Sequence, residues 1–390
     1  MNKIFINKPG KSTIVIVAVN TGAFNEVEKY KGISHFVEHL CFKGNPKRNQ
    51  KQISSAIDNV GGDLNAFTDW EITAYWAKVG NSYKDLALEV ITDLATKPVF
   101  PAKEIDKERE VIIQELKMYQ DDPKDYVCDV FNEALYSKES GFHTSVIGTK
   151  KSLYDIKRET LVNYHKERYN NPTLIIVGDI KNKVEIERPY EMAFLPPKID
   201  GRQDITLVER ENITQANILI GNSVYLGGRK KEEVMFALQL LDAVYGDMSG
   251  RLFDVIREQN NLVYRVHFTH DYYADGTLQW AVSAGLDRDK IEKARVLAIK
   301  ELMRPVTKKD LEMALIKAIG VQEMCLDSIT TLGYHTAYHL VRGLDYKEMI
   351  FDYKKGLKNA VPLVNELIKQ LNFDKNILAG VVPKNESNNN

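Results

Sequence analysis

The chain is predicted to fold as two similar α+β domains, each a mainly antiparallel sheet with helices packed on one face. Three observations predict this. Its 390 residues exceed what one hydrophobic core ordinarily organises. The order strand, helix, strand pair, helices, strand is read twice along the sequence, which is the mark of a duplicated unit. Between the two readings lies a stretch with no sustained period, containing Pro189, Pro196, Pro197 and Gly201. The expected boundaries are a first domain over 1–180, a linker over 181–204, a second domain over 205–385 and a polar tail over 386–390.

In the first half, TIVIVAV at 13–19 is a β-branched run that suits a buried strand. A loop over 20–31 leads into GISHFVEHLCFKG, where Gly32 offers a turn and Ser34 a side chain able to cap a helix. Residues 49–60 place Ile53, Ala56, Ile57 and Val60 at helical spacing and stop at Gly61-Gly62. DLNAFTDWEITAYWAKV at 63–79 reads as two strands around a turn near Asp69. Helices are expected over 82–95 and 101–119, the second ended by Asp121-Asp122-Pro123, and over 125–136. A helix running to Tyr169 follows the HTSVIGT loop, and the strand 173–177 ends at Gly178-Asp179.

The second half repeats the order: strand-like runs over 205–226, helices over 230–245 and 249–259, and a strand pair over 262–285. Helices over 289–303, 308–327 and 328–340 and a last strand over 378–382 complete it.

Composition narrows the function classes. The 53 basic and 54 acidic residues nearly cancel, and without a basic block a nucleic-acid partner is not expected. Cys41, Cys128 and Cys325 are odd in number and widely spaced, so neither a disulfide framework nor a C-x-x-C site is expected. No signal-peptide pattern is read at the N-terminus, and no run approaches the roughly twenty apolar residues that span a bilayer. A cytoplasmic protein without a membrane partner is the expectation.

One helical turn carries the chemistry. His35 and His39 are four apart, so both imidazoles reach one side of a helix, and Glu38 lies beside them. This is H-x-x-E-H, the inverted zinc-peptidase pattern. Taken alone, it also fits a surface helix with two solvated histidines. A catalytic zinc usually takes three protein ligands. The acidic helix offers Glu104, Glu108, Glu110 and Glu115, of which Glu108 and Glu115, seven apart, share a face.

With these residues in view, the chain resembles the pitrilysin/insulinase superfamily of zinc metallopeptidases, and by size its mitochondrial-processing-peptidase-like subfamily. In that family a glutamate about 76 residues beyond the second histidine completes the site, and Glu115 stands at that distance from His39. GGDLNAFTDWEITAYW, the Asp121-Asp122-Pro123 break, IGT at 147–149 and the VGD strand end extend the likeness over nearly the whole chain. The resemblance implies one Zn2+ per chain held by His35, His39 and Glu115, with Glu38 as general base and Glu108 as a supporting residue behind the metal ligands. It implies that Arg257 and Tyr264 contact substrate, Tyr264 as an oxyanion donor, and that Asn65, Ala66 and Phe67 lie on an edge strand that pairs with substrate. It further implies a metalloendopeptidase that cleaves unfolded peptides in a closed chamber formed by a homodimer. The alternatives are a narrow precursor-processing subunit of a heterodimer and a non-catalytic scaffold.

Overall fold

The computed structural model describes residues 1–180, 204–246, 248–344 and 353–384, with backbone alone over 353–358. The linker expected at 181–204, except its last residue, and the tail 386–390 lie outside the described residues. The first half contains β1 (Asn2–Asn7), β2 (Ser12–Val19), α1 (Ile33–Cys41), α2 (Gln50–Asp58), β3 (Asp63–Thr68) and β4 (Thr73–Gly80). It continues with α3 (Lys84–Thr96), α4 (Ala102–Asp121), α5 (Pro123–Leu135), α6 (Lys150–Asp155), α7 (Arg158–Arg168) and β5 (Thr173–Gly178). The second half contains β6 (Ile205–Arg210), β7 (Ala216–Tyr225), α8 (Lys231–Tyr245), β8 (Val263–Tyr272) and β9 (Thr277–Leu286). After these come α9 (Ile291–Met303), α10 (Lys308–Asp327), α11 (Ile329–Val341), α12 (Tyr353–Gln370) and β10 (Ile377–Pro383).

Two five-stranded sheets result, ordered β1-β5-β2-β4-β3 and β6-β10-β7-β9-β8. The second order is the first with each strand replaced by its counterpart, so the duplication read in the sequence is present in the topology. In each sheet one outer pair is parallel, β1 with β5 and β6 with β10, and the other neighbours are antiparallel. Strand β1 is not expected from the sequence. Six residues followed by Pro9-Gly10 give a weak local signal, and the strand exists through its pairing with β5, far along the chain. Helix α12 is likewise not anticipated. The helix expected over 249–259 includes a π-helical turn, Phe253–Glu258.

Burial on both faces explains why β2 is apolar from Ile14 to Val19. Val15, Val17 and Val19 pack with Phe36, Val37 and Leu40 of α1. Ile14 and Ile16, on the other face by strand alternation, meet α11, where a Cβ on Gly333 would stand 2.7 Å from the Ile16 side chain. A strand buried on both faces has no polar side to show. Each sheet thus keeps most of its helices on one face and receives one helix on the other.

That extra helix comes from the other half of the sequence. The described chain divides into two compact units, and the first takes Met1–Met118, Thr144–Ala193 and Met324–Met349. Helix α11 therefore belongs with the first sheet, while α5 packs on β7 and β10 in the second unit. The linear ranges 1–180 and 205–385 miss this exchange, because an amphipathic pattern marks a face to be buried without saying which sheet buries it.

Candidate metal centre

Helix α1 is built to hold its polar turn against a rigid base. Phe36, Val37, Leu40 and Cys41 are wholly buried in the core of the first unit. This leaves His35, Glu38 and His39 together on the remaining side. The helix starts at Gly32 in the left-handed conformation (φ 86°) with no side-chain cap of its own. Ser34, expected as a cap, instead shares a hydrogen bond of 2.7 Å with the Tyr164 hydroxyl. The cap is supplied from outside the helix. The Glu26 carboxylate accepts from Gly32 N and from Ser34 N, each at 2.7 Å, satisfying donors that a helix start leaves open. Burial pushes the Glu26 carboxyl up to about 7, although the two backbone donors pull the other way.

Helix α4 brings the second set of ligands. Ile105, Ile112, Ile113 and Leu116 fix its inner side, whereas Val111, which looks like an inward residue in the sequence, is half exposed. Arg109 is buried and anchors the helix, donating to the carbonyls of Leu153 (2.9 Å) and Ile156 (3.0 Å). Glu108 and Glu115, two turns apart, then face α1.

The side chains of His35, His39 and Glu115 converge, with one ligand atom from each lying within 4.8 Å of the others. The two Nε2 atoms are 3.2 Å apart. Glu115 places Oε1 at 3.7 Å from His35 Nε2 and Oε2 at 3.4 Å from His39 Nε2. A tetrahedral ion with bonds of about 2.0–2.1 Å spaces its ligands by roughly 3.4 Å. Two imidazoles and one carboxylate leave a fourth position open, and the donor set fits zinc.

Around the triad the groups differ in environment. His39 Nδ1 lies 2.9 Å from Glu108 Oε1, and the other oxygen of Glu108 is 2.5 Å from Lys43 Nζ. Burial disfavours the His39 imidazolium, but the carboxylates of Glu108 and Glu115 outweigh it and raise that histidine to about 9. Glu108 itself is held below the usual carboxylate range, because His39 and Lys43 overcome its burial. His35 lacks such a partner: its Nδ1 is buried without a hydrogen bond, and burial, then the neighbouring His39, lowers it to about 4. Glu38 is pushed up to about 7 by burial, with the Thr68 hydroxyl donating to its Oε2 at 2.5 Å.

The sequence-expected residues therefore fall into separate groups. His35, Glu38, His39, Glu108 and Glu115 meet in the first unit. Asn65, Ala66 and Phe67 lie on β3, the outer strand of the first sheet, which reaches the site through Thr68. Ala66 N donates to its neighbour's Asn65 Oδ1 at 2.8 Å. Arg257 and Tyr264 belong to the second unit and meet each other there. Arg257 Nη1 donates to Tyr264 O at 3.1 Å, and its guanidinium stacks on the rings of Phe253 and Tyr264.

Sequence reasoning missed Glu26, Lys43, the role of Thr68, and Arg109. Lys43 was within reach, since it follows His39 by four residues, in the turn that closes α1. Glu26 sits in a loop and carried no periodic signal.

Residues 4–149 match the family model described as Insulinase (Peptidase family M16), and residues 155–318 that of the Peptidase M16 inactive domain. The "Uncharacterized zinc protease YmxG" of Bacillus subtilis is 29% identical over 97% of this chain and 94% of its own length. An "Uncharacterized zinc protease" of Rickettsia felis is 30% identical over 77% of this chain and 74% of its own. Among solved structures, a protease from Helicobacter pylori shares the fold with a TM-score of 0.81 at 19% identity, covering 98% of this chain and 96% of its own.

Proposed function

The chain belongs to the insulinase (M16) peptidase family, and from that premise we propose that it is a zinc-dependent endopeptidase acting on extended peptides. The observation that carries the reading is the convergence of His35, His39 and Glu115 beside the buried carboxyl of Glu38. A zinc ion held by the three would polarise a peptide carbonyl and acidify a water molecule. Glu38, with a pKa raised to about 7, is suited both to take a proton from that water at its free oxygen and to pass it to the leaving amine. The Thr68 hydroxyl holds the second oxygen of Glu38 and so aims the first.

Substrate form follows from β3. An outer strand offers main-chain donors and acceptors to an added strand, which selects extended chains and reads their sequence weakly. Ala66 N is presently engaged by the Asn65 side chain, so an incoming carbonyl would take the place of a local contact. Tyr264, with 67% of its surface exposed and its backbone tied to Arg257, is assigned as the oxyanion donor, with Arg257 as a substrate contact. Family membership supports the remainder of the reading: a homodimer enclosing the cleavage chamber.

The test is hydrolysis of an unstructured quenched peptide by zinc-loaded wild type and by zinc-loaded Glu38→Gln. Wild type should cleave, and the variant should fall by at least about a hundredfold at equal zinc content. Equal rates would remove Glu38 from the mechanism. Inert, zinc-bound wild type across a varied peptide set would overturn the reading in favour of a narrow processing subunit or a scaffold.

A further inference from the structure

The link between α3 and α4, Lys97-Pro98-Val99-Phe100-Pro101, holds a conformation that its sequence opposes. Among the described residues, four besides glycine have positive φ, and three of these are asparagines, which tolerate the left-handed region. The fourth is Phe100, with φ 44°. A bulky residue there brings its Cβ too close to the following carbonyl oxygen. Pro101 adds to the conflict, because a proline presses the residue before it towards extended backbone.

The surroundings hold this corner in place, all within the first unit. The Phe100 ring is 3% exposed. It packs in the core that also takes Leu40 of α1 and Ile105 of α4, edge-on to the His165 ring at 5.5 Å. Arg158, the first residue of α7, donates through Nε to Phe100 O at 2.8 Å and through Nη2 to Val99 O at 3.3 Å. Val99 N in turn donates to Gly44 O at 3.1 Å. Gly44 directly follows Lys43, whose ammonium meets Glu108. The corner therefore ties the exit of α1 to the entry of α4, the two helices that carry His35, His39, Glu108 and Glu115. A strained backbone persists only where its neighbours over-determine it, and such positions gather at functional sites.

We propose that Phe100 and Arg158 are positioning residues for the metal centre: the strained corner fixes how α4 enters beside α1, and so presets the meeting of Glu108 and Glu115 with the two histidines. The inference rests on the zinc reading above. Both residues act through the backbone. Arg158 grips two successive carbonyls with one planar guanidinium, which fixes their peptide planes relative to each other, a task that the single ammonium of a lysine cannot repeat. The ring of Phe100 anchors the corner in the core. A relaxed link would let the first turns of α4 shift against α1, and zinc would then have to order its own ligands. The fold carries the strain whether or not zinc is bound, and the gain is a site that needs little rearrangement to take the ion.

The test sets zinc affinity against stability in the full-length protein. At an unstrained position glycine is less stable than alanine, whereas at positive φ the order reverses. Measured without zinc, Phe100→Gly should therefore melt above Phe100→Ala. Both lack the ring, so the difference between them reports the backbone alone. Despite its higher melting temperature, Phe100→Gly should bind zinc roughly three- to tenfold more weakly than Phe100→Ala in competition with a chelator. Arg158 lies at the surface, so Arg158→Met leaves the core packed. It should lower zinc affinity by a similar factor, and Arg158→Lys, able to hold one carbonyl, by less. Phe100→Gly melting at or below Phe100→Ala would mean that the corner carries no strain, and would overturn the proposal. Zinc affinity of Arg158→Met within about twofold of wild type would overturn it as well, because a merely structural clamp moves melting temperature alone. Wild type that binds no zinc would instead overturn the metal reading, and the role of the corner with it.

Discussion

Glu108 divides its carboxylate between the last turn of α1 and the turn that follows it: Oε1 lies 2.9 Å from His39 Nδ1, and Oε2 lies 2.5 Å from Lys43 Nζ. This arrangement decides which nitrogen of His39 is available. With Nδ1–H donating to Glu108, the Nε2 lone pair points at the position shared with His35 and Glu115, and the ring cannot rotate away without breaking a buried charge-assisted bond. Lys43 keeps Glu108 ionised and in place. His35 has no equivalent at its Nδ1, so the two histidines are not equally oriented.

Glu108→Gln should consequently weaken zinc binding by roughly ten- to a hundredfold, although Gln can still accept a hydrogen bond from His39. The measurement is a competition titration of the metal against a chelator of known affinity. An unchanged affinity would mean that packing of α1 alone orients His39.

Metal removal should be visible in stability. The Nε2 atoms of His35 and His39 stand 3.2 Å apart with a carboxylate beside them, and an ion that binds only this folded arrangement stabilises it by mass action. At a free zinc concentration a thousandfold above Kd the gain is about 4 kcal/mol. Chelation should lower the melting temperature, zinc should restore it, and Glu115→Gln should abolish most of the difference. A zinc-induced shift of equal size in Glu115→Gln would place the ion elsewhere.

How far the sequence could lead differs from element to element. His35, Glu38 and His39 were legible because local helical periodicity alone brings them together. Glu108 and Glu115 were legible as a pair on one face, but their meeting with α1 is tertiary and came from family likeness. Strand β1 and the exchange of α5 and α11 could not be read, since both depend on which distant surface a segment buries.

Glu26 should make stability depend on pH. Its folded carboxyl holds its proton to about pH 7, mainly through burial, against a starting value of 4.5. A raised folded pKa means that the contribution is fully present below about pH 4.5 and is lost as pH rises through 7. Glu26→Gln removes that dependence and costs about 1–2 kcal/mol at acid pH through one lost backbone bond. The stability of wild type minus that of Glu26→Gln should fall by up to about 3 kcal/mol between those limits. Denaturant unfolding of the chelator-treated proteins at several pH values measures it, because the titration of His35 and His39 cancels in the difference. A flat difference would show that Glu26 is ionised in the folded state.

The start of α1 also depends on a loop more than a hundred residues downstream. Gly32 (φ 86°) and Gly148 (φ 87°) cross backbone to backbone: a Cβ on Gly148 would stand 2.3 Å from Lys31 O, and one on Gly32 would stand 2.2 Å from Ile147 O. The Ser152 hydroxyl adds a hydrogen bond to Lys31 O at 2.7 Å. Gly148→Ala must therefore separate two backbones as well as hold an alanine at positive φ. Gly61 is the control, because it also has positive φ (71°) but a Cβ placed there would meet nothing within 4 Å. Gly61→Ala should cost about 1–2 kcal/mol, the conformational term alone. Gly148→Ala should cost more than that, on the order of 3 kcal/mol or above. It should also weaken zinc binding, because the displaced segment leads directly into His35. Denaturant unfolding and the zinc competition titration, run on both variants, separate the two terms. Equal losses of stability with unchanged zinc affinity would mean that the loop at 147–149 yields without moving the metal helix.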